Sequence, residues 1–315
     1  MSEARRAVPD LFVIGAAKAA SSSLHRWLVQ HPDIVGSRSD EARFLMDPDD
    51  PLARKRGFAA TGLDGYEALY PDAARTARHV LDVTPMYYYQ ETARAVIPTL
   101  PEARAIFIAR QPSARLKSLY DYAKNNIGVL PAEIGLADFL AEIEKGAASP
   151  VLGAYPMMRD AIDHCRYATH LRDWIDALGR DRVRVLVFED LVRRPHAALA
   201  DLCDWLDLPA GVYDGYTFPA ANESYRVRSR LVHRVVRRVK LRLPDRLRRR
   251  AKSCYINLNT RVGKEAVTEA DRAALARIEA LLGEERDALA GMLGHDLPWP
   301  DPAEAARAEQ AGRVL

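Results

Sequence analysis

Short runs of apolar, often β-branched residues recur along the chain. Between them lie longer stretches in which apolar positions return every three or four residues. The first pattern reads as buried strands of a parallel sheet, the second as helices that cover it. Strands are predicted over Leu11–Gly15, Asp33–Gly36, His79–Val83, Ala105–Ala109 and Val183–Phe188. Helices are predicted from Ser21 through Gln30, over Glu91–Leu100, after Pro112, across Met157–Leu178, over His196–Leu206 and across Thr268–Leu293. Thr268 to Asp271 opens the last of these like an N-terminal cap. Strands alternating with helices predict an α/β fold, a central mostly parallel sheet flanked by helices. No repeat or low-complexity linker interrupts the pattern. One domain over residues 10–300 is expected, with flexible ends at 1–9 and 301–315.

Composition narrows the class. Of 315 residues, 48% are apolar and 28% charged, which fits a folded soluble chain rather than a disordered one. No window approaches the run of about 18 apolar residues that a membrane-spanning helix needs. The apolar run Leu11–Ile14 behind Arg5 and Arg6 is broken by Gly15 and Lys18, too early for a secretory leader. Cys165, Cys203 and Cys254 lie far apart, which excludes a disulfide framework and suits a reducing cytoplasm. The eight histidines show no HxxxH or HExxH spacing, so no metal site is expected.

The net charge of +3 is local in origin. Residues 226–250 hold twelve Lys and Arg and one acid, Asp245. Without them the 46 basic and 43 acidic residues fall to 34 and 42, a net −8. Nucleic-acid binding is therefore not expected. The segment reads as a solvated helix, a peripheral membrane contact, an anionic-acceptor site or a cover over a nucleotide.

Two segments carry phosphate-binding chemistry. The first strand runs into Gly15-Ala16-Ala17-Lys18-Ala19-Ala20 and then a helix opening on Ser21, Ser22 and Ser23. Small residues let the backbone approach a ligand closely. The helix start offers free N–H groups, and Lys18 and the serines add donors. An ordinary strand–helix turn with a solvated lysine has the same outline. The loop lacks the GK[ST] ending of a Walker A sequence. In the second segment, Arg110 ends a strand, Pro112 begins a helix, and Arg115 and Ser118 share a face. An arginine at that sheet edge can grip a phosphate bidentately.

Together these segments resemble the sulfotransferases that use 3′-phosphoadenosine 5′-phosphosulfate (PAPS). The loop Ile14-Gly15-Ala16-Ala17-Lys18-Ala19-Ala20-Ser21-Ser22-Ser23-Leu24 resembles that family's xGxxKxGTTxL. Arg110-Gln-Pro112-Ser-Ala-Arg115-Leu-Lys-Ser118-Leu-Tyr120 resembles RxPxxRxxSxY. The strand with an acidic turn Val185–Leu191 and the ending Leu289–Trp299 also match in order. The resemblance implies a P-loop-like core and transfer of a sulfuryl group from PAPS, leaving 3′-phosphoadenosine 5′-phosphate (PAP). It implies that Lys18, Ala19, Ala20, Ser21, Ser22 and Ser23 hold the 5′-phosphosulfate, and that Arg110 and Ser118 hold the 3′-phosphate. Ala20 stands where the family usually has Gly, and an alanine there calls for a negative φ. Asn257–Lys264 resembles a loop that covers the nucleotide in relatives.

The segment His31–Leu45 resembles the HP…KExxFF stretch of the carbohydrate and bacterial branches. That likeness makes Glu41 the candidate base, with His79 the runner-up and Lys18 the stabiliser of the leaving group. Asp40 and Val83 replace two lysines of those branches, which weighs against a polyanionic glycan acceptor. Tyr87, Tyr88 and Tyr89 are the candidate acceptor-binding residues, because tyrosines stack on rings and donate hydrogen bonds. The acceptor implied is a hydroxyl on a carbohydrate, lipid or small metabolite, with no metal required. Two rivals remain. One is a P-loop kinase using Asp82 at a strand end, the other a non-catalytic nucleotide- or membrane-binding protein.

Overall fold

An uninterrupted apolar strand must be covered on both faces, and Leu11–Gly15 (β1) is buried along its whole length at the centre of the sheet. In this computed structural model, which describes residues 6–131, 133–219, 225–227, 260–262 and 267–300, β1 is joined by β2 (Ile34–Gly36), β3 (His79–Val83), β4 (Arg104–Ala109) and β5 (Val183–Val187). The five strands are all parallel, in the order β2-β3-β1-β4-β5. Leu11 lies opposite Leu81 on one side and Arg104 on the other. A parallel sheet has all its strand ends of one kind on one edge. The loops after β1, β2, β3, β4 and β5 therefore converge there, which is where open α/β sheets bind ligands.

Gly15 ends β1 at a point of close approach. A Cβ there would lie 2.5 Å from the Phe107 ring and 2.7 Å from that of Tyr88. The main core joins the sheet to the helices Ser21–Leu28, Tyr167–Leu178 and Pro195–Trp205. A smaller core holds Leu116, Leu119, Phe139, Leu140, Ile278 and Leu282, where Pro112–Asp121, Leu136–Glu144 and Glu269–Leu281 pack together.

Two expected helices are in fact divided. The stretch 157–178 forms Pro156–Arg159, a 3₁₀ turn Asp163–Cys165 and Tyr167–Leu178. Its carbonyls find tertiary partners instead of helical ones. Ala161 O accepts from Arg115 Nη1 at 3.3 Å, and His164 O accepts from the Tyr88 hydroxyl at 2.7 Å. The stretch 268–293 splits into Glu269–Leu281 and Gly283–Leu293. Thr268 caps the first as expected, its Oγ1 accepting from Asp271 N at 3.1 Å. The break lets Ile278 and Leu282 enter the smaller core while Leu289 enters the main one.

Strands β6 (Tyr225–Val227) and β7 (Thr260–Val262) pair antiparallel. Apart from these, the basic segment 226–250 and the stretch Asn257–Lys264 lie outside the described residues, as do Cys254 and residues 301–315.

Candidate active site

The strand ends surround a cleft of about 1590 Å³. Its walls include Lys18 and Ser21–Ser23 after β1, Glu41 and Arg43 after β2, Pro85 and Met86 after β3, Arg110 and Ser118 after β4, and Phe188 after β5. Every expected donor-site residue except Ala19 lines it; Ala19 is fully buried beneath the loop. The volume exceeds the roughly 300–1,000 Å³ of a single drug-sized site, leaving room for two substrates.

The loop after β1 is held from below. Arg115 is fully buried, and its Nε donates to Ala17 O at 3.1 Å. Arg110 Nη1 donates to the next carbonyl, Lys18 O, at 2.6 Å. The Arg110 guanidinium also lies 4.3 Å above the Phe188 ring, while its Nε is buried with no hydrogen-bond partner among the described residues. The two arginines of the second motif thus have different tasks. Arg115 does not reach the cleft; it also bonds Ala161 O, Cys165 Sγ and the Tyr88 hydroxyl.

Two helix starts meet this edge, and they differ. At Ser21–Leu28 the first two amides, Ser21 and Ser22, have no carbonyl within the helix to bond, and the N-cap residue Ala20 offers no side-chain acceptor. That start is electropositive and open. At Pro112–Asp121, Glu279 already accepts from Ser113 N at 2.8 Å, and Glu189 accepts from Gln111 N at 3.3 Å. Anion capacity there rests on Arg110 and Ser118. Glu189 also accepts from Trp299 Nε1 at 2.8 Å, so the acidic turn after β5 and the C-terminal motif meet behind Arg110.

Ala20 departs from the sequence expectation. Its φ is +68°, in the left-handed region, and Lys18 has φ +72°. The backbone adopts the glycine-like bend without the glycine.

The Lys18 ammonium sits 4.2 Å over the Tyr122 ring. Burial and the Arg110 charge bring its pKa down to about 8, against the opposing pull of Asp121 and Glu41. The Glu41 Oε2 accepts from Arg43 Nε at 2.6 Å, with Arg43 Nη2 at 2.5 Å. Arg43 has φ +50° and its amide is held by Thr84 Oγ1 at 3.0 Å, which fixes the pair against the end of β3.

Three expected tyrosines are elsewhere. Tyr87 and Tyr88 are fully buried, Tyr89 stacks on His164 at 3.8 Å, and none lines the cleft. The cause is Asp82, a carboxylate buried in β3. It is satisfied by the hydroxyls of Tyr66, Thr84 (2.8 Å) and Tyr87 (3.0 Å), and burial still lifts its pKa to about 6. That demand draws Tyr87 inward, and Tyr88 follows to serve His164 O. The aromatic rings that do line the cleft include Trp27, Tyr122, Tyr155 and Phe188. None stood out in the sequence, because each lies on a different element. His79 is also excluded as a base. It begins β3, at the opposite sheet edge, bonded to Asp10 at 2.9 Å and to Leu206 O at 3.1 Å.

Comparison with known proteins agrees with this geometry. A family profile described as "Sulfotransferase family" matches residues 9–212. Over 215 residues the chain is 20% identical to "Bifunctional heparan sulfate N-deacetylase/N-sulfotransferase 1" of Caenorhabditis briggsae, covering 66% of this chain and 24% of that protein. Over 222 residues it is 26% identical to "Heparan sulfate glucosamine 3-O-sulfotransferase 6" of Mus musculus, covering 70% of this chain and 58% of that one. It thus spans less than two thirds of either relative. The crystal structure of a sulfotransferase from Alicyclobacillus acidocaldarius has the same fold, with a TM-score of 0.62 and 22% identity over 92% of this chain and 97% of that one. The profile match covers well over half of the sequence, and the chain belongs to the sulfotransferase family.

Proposed function

We propose that the cleft transfers a sulfuryl group from PAPS to an acceptor hydroxyl. The observation that carries this reading is the convergence on one sheet edge of Lys18, the open helix start at Ser21 and Ser22, Arg110 and Glu41. The donor set fits a bisphosphorylated nucleotide. It offers two cations, unbonded helix-start amides and several hydroxyls, and Arg110 Nε still needs an acceptor. PAPS supplies an activated sulfuryl group on a phosphate leaving group.

The chain's own groups do the rest by position and electrostatics. Lys18 and Ser21–Ser23 hold the 5′ end, and Lys18 stands by the charge that develops on the leaving oxygen. Arg110 and Ser118 hold the 3′-phosphate. Glu41 takes the acceptor proton. Its Oε1 has no hydrogen bond among the described residues, while Arg43 holds Oε2 in place. A kinase reading loses its carboxylate, because Asp82 is sealed in the core by three hydroxyls.

The test is calorimetric titration with PAP, with AMP as control, on wild type and Arg110→Ala, followed by a transfer assay on Glu41→Gln. Losing a charged hydrogen bond to phosphate costs about 1.5–3 kcal/mol, so PAP affinity should fall roughly 10- to 100-fold in Arg110→Ala. Glu41→Gln should keep PAP affinity and lose transfer. Equal binding of AMP and PAP, or binding of neither, refutes the reading.

A further inference from the structure

Five large apolar side chains stand exposed among the described residues, and three of them, Leu52, Tyr155 and Val192, line this cleft. Ile127 and Met157 line it as well. Apolar surface gathered in a concave site marks a ligand that brings apolar surface of its own.

The charges in the cleft point the same way. Apart from Lys18 and Arg110, its basic side chains among the described residues are Arg43, Arg54 and Lys117, and all are engaged. Arg43 is on Glu41. Arg54 donates to Ala42 O and to Ser39 Oγ. Lys117 lies 3.1 Å from Asp121. Asp40 and Asp50 add negative charge to the wall. A sulfated sugar chain would bring anions against carboxylates and already paired cations, at a desolvation cost that no side chain among the described residues of the cleft offsets. A neutral acceptor meets no such cost.

We propose that the acceptor is an uncharged alcohol or phenol with an apolar body, seated against Leu52 and Tyr155 with its hydroxyl toward Glu41. The inference rests on the sulfuryl-transfer reading of the cleft. In the step, the acceptor oxygen forms a bond to sulfur as the bond from sulfur to the phosphate oxygen breaks. The hydroxyl proton passes to Glu41 and then to water, and a sulfate monoester and PAP leave.

The experiment offers 4-octylphenol, 1-decanol and an N-sulfated heparan oligosaccharide to the full chain with radiolabelled PAPS, alongside PAP calorimetry. Leu52→Asp and Tyr155→Asp alter side chains that are 37% and 39% exposed and lie outside both cores. The expected result is label transferred to octylphenol or decanol. KM for that acceptor should rise at least tenfold in each variant, while PAP affinity changes less than twofold. Bound PAP with label on the oligosaccharide alone, or on none of the three, overturns the acceptor inference. Acceptor KM unmoved in both variants overturns it too. Loss of PAP binding in wild type refutes the donor-site reading instead.

Discussion

Ala20 offers a test of the loop geometry that needs no substrate. Its φ of +68° places the methyl group against the neighbouring carbonyl oxygen, a crowding worth about 1–2 kcal/mol for an L-residue. Glycine escapes that cost but loses about 0.5–1 kcal/mol more conformational entropy on folding. The balance makes Ala20→Gly stabilising by about 0.5–1 kcal/mol, or roughly 1–2 °C in Tm for a chain of this size. Ala19 is the internal control. It is fully buried and is not among the residues of positive φ. Ala19→Gly therefore gains nothing from strain relief, loses the same entropy and a buried methyl worth about 0.8 kcal/mol, and should destabilise by about 1–2 kcal/mol. Thermal and urea unfolding of both variants provide the assay. Opposite signs at adjacent positions are the signature of strain at Ala20 alone. Equal destabilisation by both glycines would refute the reasoning.

Lys18, with a pKa near 8 in the free protein, is charged below that value and neutral above it. PAP should favour the charged form. Its Kd should rise up to about tenfold from pH 8 to 9, with proton uptake visible as a buffer-dependent calorimetric enthalpy, and Lys18→Met should abolish both. Arg115→Ala should cost about 3–5 kcal/mol in urea unfolding, because it opens a cavity and strands Ala17 O and Ala161 O; a loss under 1 kcal/mol would contradict its role as a strut. Asp82 has a folded pKa raised to about 6 against an ordinary 3.8, so the stability it contributes is present below pH 4 and lost as pH rises through 6. The stability of Asp82→Asn relative to wild type should accordingly improve by about 2–3 kcal/mol between pH 4 and pH 7, and a flat difference would show that the buried group does not titrate there.

Periodicity made the sheet legible because its strands are short runs of mostly apolar, often β-branched residues. β1 and β3 have the predicted limits, and β4 and β5 differ by one residue at one end. A residue's neighbours in the chain decide that pattern. The misreadings arise where a distant partner decides. Met157–Leu178 has helical spacing, yet Arg115 and Tyr88 take two of its carbonyls and break it into turns. Tyr87–Tyr89 have the chemistry of a sugar platform, yet a buried carboxylate five residues earlier claims the first of them. Local sequence cannot show which buried group lacks a partner, and that deficit drew these side chains inward.

The same reasoning explains why one short motif carries two arginines. Arg110 follows the strand end and Arg115 lies in the first turn of the following helix, five residues on, so one guanidinium can face the cleft while the other lies beneath it. They bond consecutive carbonyls of the loop after β1, Lys18 O and Ala17 O. Two successive peptide groups are thereby fixed before any ligand arrives, and the left-handed residues Lys18 and Ala20 are held in a bend they would not keep alone. The second motif thus braces the loop of the first, in addition to the phosphate subsite proposed for Arg110 and Ser118. A variant at Arg110 should accordingly disturb both ends of the nucleotide, whereas one at Ser118 should disturb only the 3′ end. PAP and adenosine 5′-phosphosulfate, compared on Arg110→Ala and Ser118→Ala, separate the two effects. If Arg110→Ala left adenosine 5′-phosphosulfate binding untouched, its bond to Lys18 O would be incidental to the loop.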